Sequence, residues 1–100
     1  MAKIFSYGTL WQPDVQISQF GVTFSVDPDL DYIGGWDIIK IRMHGGVFNV
    51  AIKGESIISG AIVDVPDDIL PEVDRYEGNE YKRVDITTLT GNNCQIYVKR

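Results

Sequence analysis

The chain has 100 residues, 44% of them apolar, a size suited to one domain spanning residues 1–100 that buries roughly 60% of its unfolded surface. A formal charge of −5, with acids spread from Asp14 to Asp85, leaves no basic stripe, so nucleic acid is set aside as a partner. No window approaches the roughly 18 apolar residues of a membrane span, and the single cysteine, Cys94, closes no internal disulfide, so a cytoplasmic protein without a membrane partner is expected.

Lys3 to Tyr7 reads as a strand stopped by Gly8, since glycine tolerates the sharp dihedrals of a following loop. Pro13 to Gln19 is a candidate helix: Pro13 suits the first helical position, while Val15, Ile17 and Phe20 match a 3.6 period only in part. Gly21 to Val26 is rich in β-branched and aromatic residues, and Asp27-Pro28-Asp29 is expected to end it as a turn. From Tyr32 to Val65 the pattern is almost wholly strand. Trp36 to Ile41 leads to a turn at Gly45-Gly46, Val47 to Ile52 to a tight connection at Lys53-Gly54-Glu55-Ser56, and Ile57 to Val65 follows. Such β segments separated by glycines imply a curled sheet or small barrel more readily than alternating βα units.

Pro66-Asp67-Asp68 supplies a proline and two cap-competent acids ahead of a helix in which Ile69, Val73 and Glu77 fall four apart. Gly78 is placed to end it in the left-handed conformation. Tyr81 to Leu89 and Cys94 to Lys99 close the chain as strands around the hairpin turn Thr90-Gly91-Asn92-Asn93.

Helical spacing puts Glu77 on the stripe of Ile69 and Val73, where a carboxylate needs a reason to be buried. Burial and the negative end of the helix both oppose its ionisation, raising its pKa toward the range useful for proton transfer. The other reading has Glu77 fan outward at a frayed helix end, or pair with Arg75, Lys82 or Arg83. Tyr7-Gly8-Thr9-Leu10 could present consecutive backbone N–H groups to an anion, although any tight turn leaving a strand reads the same way. His44 has no second metal ligand at a suitable spacing and reads as a solvated loop residue, and Cys94 reads as a small apolar one. Trp11 and Trp36 read as packing, and Asp27, Asp29 and Asp31 as a solvated turn lacking the rest of a calcium loop.

Taken together these motifs resemble the γ-glutamylcyclotransferase-like (AIG2-like) family, which includes γ-glutamylamine cyclotransferases. Tyr7-Gly8-Thr9-Leu10 is similar to its opening motif. Val73-Asp74-Arg75-Tyr76-Glu77-Gly78 followed by Tyr81-Lys82-Arg83 is similar to its later Leu-Asp-x-x-Glu-Gly and Tyr-x-Arg, and Gly60 to Pro66 resembles the intervening strand. The resemblance implies an α/β (α+β) fold, a small mixed β-barrel with one or two short helices. It implies cyclisation of a γ-glutamyl amine or amino acid to 5-oxoproline plus free amine, without cofactor or metal. On this chain Glu77 would be the general acid/base, with Tyr7, Gly8, Thr9, Leu10, Tyr81 and Arg83 binding the substrate. Tyr81 and Arg83 share a strand face, so an inward tyrosine would carry the arginine inward; the other reading of Arg83 is an ion pair with Asp85 or Glu80. Relative to the family, Trp11 to Trp36 is compressed and only Gly34-Gly35 stands where a glycine-rich segment helps close the pocket, so an open pocket is expected. The partner implied is a small γ-glutamyl or amino-acid-like molecule. The alternative is a noncatalytic binding or inhibitory protein that keeps the fold and contacts another protein.

Overall fold

The computed structural model describes residues 1–100. Its elements are β1 (Ala2–Ser6), α1 (Pro13–Phe20), β2 (Ser25–Met43), β3 (Gly46–Val65), α2 (Leu70–Glu77), β4 (Tyr81–Thr87) and β5 (Asn93–Lys99). They form the α+β architecture expected: one mixed five-stranded sheet in the order β2-β3-β1-β5-β4, with two short helices. The long β3 bends the sheet upon itself. Its C-terminal part pairs antiparallel with β1, from Ala2↔Val65 to Ser6↔Ala61, while its N-terminal part meets β5 in parallel at Ala51↔Val98. Because β1 stops at Ser6, β3 and β5 meet directly beyond its end, and the cavity lies there against the loop that follows.

Two apolar clusters hold the structure. Ile4, Val50, Val63, Val65, Tyr81 and Tyr97 enclose one with Leu10 and Phe24 and with Val73 of α2, which is fully buried; Phe5, Ile33, Ile58, Ile62, Ile96 and Val98 form the other. The alternation of strand side chains across the two faces of the sheet accounts for both.

Five local expectations fail in instructive ways. Asp27-Pro28-Asp29 does not end a strand: pairing steps from Val26↔Val63 to Leu30↔Ala61, so three residues of β2 oppose one of β3 in a bulge. The turn chemistry is present, since Asp27 accepts the Asp29 N–H at 3.0 Å, but the bulge absorbs it and with it a proline that has no N–H to give the ladder. Lys53 to Ser56 likewise stays within β3, where a register shift between Gly34 and Trp36 takes up the extra residues and Asp37 accepts the Ser56 N–H at 3.2 Å. The hairpin tip lies one residue early, at His44-Gly45, whose φ values of 51° and 76° supply the two positive torsions a tight two-residue turn demands. Finally α2 begins at Leu70 without a side-chain cap, and Asp67 takes the N-terminal ammonium at 3.0 Å instead. Gly78 does have positive φ (91°), but its ψ of 178° sends the chain out extended and not into the left-handed cap.

Candidate active site

The cavity at the end of β1 has a volume of about 530 Å³. Three segments frame it: the loop Tyr7 to Leu10, the end of α2 with Tyr76, Glu77 and Glu80 beyond it, and the tip of the β2–β3 hairpin around Phe48. Tyr81 and Tyr97 reach it from β4 and β5.

The loop is fixed at both ends. The Tyr7 hydroxyl donates to the Tyr97 carbonyl at 2.6 Å and accepts the Ala51 N–H at 3.1 Å, so it bridges β3 and β5 where β1 no longer lies between them. At the other end Gln16, fully buried in α1, donates to the Leu10 carbonyl and accepts the Phe24 N–H, each at 2.8 Å. Between these anchors, none of the N–H groups of Gly8, Thr9 and Leu10 is spent on a turn hydrogen bond. Gly8 itself does not have positive φ, and a Cβ there would meet no atom within 4 Å. Its dihedrals are therefore open to other residues, contrary to the expectation for a sharp turn; what glycine provides is room above the loop backbone.

Glu77 lines the cavity on the stripe of α2 that continues from Val73. Burial pushes its carboxyl up to about 7, and the neighbouring Asp74 adds in the same direction. Tyr81 donates to the Asn49 carbonyl at 3.0 Å, and burial, then Glu77, push its phenol up to about 12. Burial first, with the charge of Glu77 adding, also raises Tyr7. Thr9 and Tyr76 share a hydroxyl hydrogen bond of 2.8 Å between loop and helix. Across the mouth, His44 Nε2 stands 3.2 Å from Glu80 Oε1.

Arg83 is placed differently from both sequence readings. It is not part of the cavity wall, and it pairs with neither Asp85 nor Glu80: its Nη1 lies 3.2 Å from Asp74 Oδ1, outside hydrogen-bonding geometry. Sharing a strand face with Tyr81 does not suffice, because Asp74 on the helix above intercepts the longer side chain.

A family model, gamma-glutamyl cyclotransferase, AIG2-like, matches residues 4–100. The chain belongs to this family. Two solution structures of Arabidopsis thaliana proteins are similar to it. One has a TM-score of 0.77 at 22% identity, covering 98% of this chain and 68% of the plant protein. The other has a TM-score of 0.75 at 21% identity, covering 98% and 61%. A gamma-glutamyl cyclotransferase structure matches with a TM-score of 0.73 at 14% identity, covering 99% of this chain and 66% of that one. At these identities the likeness is one of fold, and the chain spans about three-fifths to two-thirds of the length of these relatives. Comparison with curated proteins gives no match.

In this member of the gamma-glutamyl cyclotransferase family, the cavity also recruits residues that the sequence left without a role: Tyr76, Tyr97, Asn49, Phe48 and His44. Asp74 stands behind it, accepting the Tyr97 hydroxyl at 2.6 Å. Only Asp74 carried a usable signal, its position three residues before Glu77 on the same helix. Tyr76 lies on that helix beside Glu77, whereas Tyr97, Asn49, Phe48 and His44 come from β5 and the β2–β3 hairpin, and their meeting depends on the register of a 20-residue β3.

Proposed function

We propose that the chain, acting as one domain, is a gamma-glutamyl cyclotransferase in which Glu77 is the general acid/base. The observation that carries this reading is a cavity-lining carboxyl raised to about 7, opposite a loop with unspent N–H groups. A group titrating there is present in both forms at neutral pH, as a proton carrier must be.

The substrate class is a small molecule with an amino-terminal γ-glutamyl group. Its α-nitrogen attacks the γ-carbonyl carbon, the new C–N bond closes 5-oxoproline, and the former amide C–N bond breaks. Two protons pass from the attacking to the leaving nitrogen, with Glu77 taking and returning them. Because nucleophile and electrophile belong to one molecule, the site's main work is to hold it folded. The N–H groups of Gly8 to Leu10 serve the substrate carboxylate or the developing oxyanion, and Tyr7 and Tyr81 wall the pocket. Arg83 acts at one remove, through Asp74.

The test is 5-oxoproline release from a γ-glutamyl amine. Glu77→Gln keeps the shape and removes the titrating group, with an expected loss of roughly 10²–10⁴-fold; unchanged turnover rejects the role. A second reading, a noncatalytic binding protein, draws on Ile57 and Leu89, both exposed around Gly34. It is favoured if the folded wild-type protein forms no 5-oxoproline from γ-glutamyl amines, and rejected if it does.

A further inference from the structure

Helix α2 carries two carboxylates on one face with opposite surroundings. Asp74 Oδ1 accepts the Tyr97 hydroxyl at 2.6 Å and lies 3.2 Å from Arg83 Nη1. No protein hydrogen bond acts on Glu77, one turn later, where burial and the Asp74 charge are the influences. Tyr97 also receives the Tyr7 hydroxyl on its main-chain carbonyl, so the residue that holds Asp74 also holds the root of the donor loop.

The other titratable groups near Glu77 cannot take the place of Asp74. Tyr76 and Glu80 stand on its own segment, Tyr81 and Arg83 come from β4, Tyr97 from β5, Tyr7 from the end of β1 and His44 from the hairpin tip. Burial keeps the phenols of Tyr7, Tyr81 and Tyr97 protonated through neutral pH. Glu80 is engaged with His44, and Arg83 with Asp74 itself. That leaves Asp74 as the anion whose field bears on Glu77.

Building on the acid/base reading of Glu77, we propose that Asp74 is a positioning residue. Clamped by Tyr97 and Arg83 one turn ahead of Glu77, its fixed negative charge strengthens Glu77 as a proton acceptor, and its clamp sets the helix against the donor loop. The sequence of events at the substrate is unchanged; Asp74 touches no reacting atom.

The deciding measurement is the titration of the Glu77 side-chain carboxyl by ¹³C NMR on the full chain at low ionic strength. It is compared between wild type, Asp74→Asn and Tyr97→Phe, alongside the acid limb of the kcat/KM profile. Asp74→Asn keeps an acceptor for Tyr97 and removes the charge, so the Glu77 midpoint falls by about 0.5 pH units or more, roughly three-fold in proton affinity. The acid limb moves with it. Tyr97→Phe keeps the charge, and the midpoint stays raised. A wild-type midpoint near 7 that Asp74→Asn leaves in place overturns the inference while sparing the reading of Glu77; so does a midpoint moved by Tyr97→Phe alone. A wild-type midpoint in the ordinary carboxylate range removes both. If Asp74→Asn does not fold, the wild-type midpoint is followed from low salt to about 1 M, where the half-exposed Asp74 is screened. A fall supports the inference, and a constant midpoint rejects it.

Discussion

The Tyr7 hydroxyl donates to the Tyr97 carbonyl of β5 at 2.6 Å and accepts the Ala51 N–H of β3 at 3.1 Å, beside the point where the two strands meet at Ala51↔Val98. One side-chain oxygen thus serves a backbone group on each of the two strands. Tyr7→Phe leaves both without their partner, at a cost of about 1–3 kcal/mol. For a chain of this length that lowers Tm by roughly 5–15 °C. Thermal unfolding followed by circular dichroism checks it, and a Tm within two or so degrees of wild type would show that water replaces the hydroxyl without penalty.

The burial that underlies the proposed role of Glu77 also bears on stability. Its folded carboxyl is raised from 4.5 to about 7, so the neutral form is favoured in the native state. The sign follows directly: wild-type stability from this group is fully present below about 4.5 and is lost as pH rises through about 7. Because Glu77 keeps some exposure, the loss is set on the order of 2 kcal/mol, below the full value the shift would imply. Glu77→Gln is therefore expected to match wild type at pH 4 and to be the more stable protein at pH 8. Urea unfolding at the two pH values measures it; equal stabilities at pH 8 would mean that the folded cavity solvates the charge.

The family, the strand-rich centre and the helix bearing Glu77 were legible because each rests on short-range pattern: four-residue spacing in α2, glycine punctuation, and motif order. The interruptions within β2 and β3 were not. Asp27-Pro28-Asp29 and Lys53 to Ser56 have the composition of chain reversals, and only pairing with a partner strand distinguishes a reversal from a bulge. The same limit hid the partner of Arg83, since face-sharing along β4 says nothing about which helix residue waits above it. Gln16 was hidden for another reason: a glutamine on a weakly amphipathic helix looks like surface, yet it is fully buried because its amide satisfies both Leu10 and Phe24.

Asp31 departs from the solvated turn expected of Asp27, Asp29 and Asp31: it is buried and ties the β4–β5 turn to β2. It accepts from Thr90 Oγ1 at 2.7 Å, Asn92 Nδ2 at 2.8 Å and the Tyr32 N–H at 2.8 Å. Burial would raise its carboxyl, but hydrogen bonds from Asn92, Thr88, Thr90 and Tyr32 outweigh it and hold the group well below the usual range. With a depressed folded pKa, its contribution is present above the ordinary value of 3.8 and is lost as pH falls below that. Asp31→Ala is expected to cost about 2–3 kcal/mol at pH 7, with the difference from wild type shrinking as pH drops below 3. Amide hydrogen exchange at Leu89, whose N–H donates to the Tyr32 carbonyl at 2.8 Å, should accelerate first. Unchanged protection there would mean that the turn is held without the carboxylate.

Two glycines near the cavity separate packing from function. At Gly60 a Cβ would lie 2.7 Å from the Phe5 ring and 2.7 Å from the Ser6 carbonyl oxygen, backbone that cannot yield without shifting β1. Gly60→Ala is expected to cost roughly 1–3 kcal/mol through overpacking. At Gly8 the Cβ meets nothing within 4 Å and no positive φ opposes it, so Gly8→Ala should leave stability within about 0.5 kcal/mol of wild type, or slightly above it. The methyl nevertheless enters the space above the donor loop, and KM for a γ-glutamyl amine should rise several-fold while kcat changes less. Parallel melts and steady-state kinetics on the two variants make the comparison. A Gly8→Ala protein with an unchanged KM would move the substrate away from the loop, because a molecule held by the Gly8 to Leu10 N–H groups could not ignore a methyl placed over them.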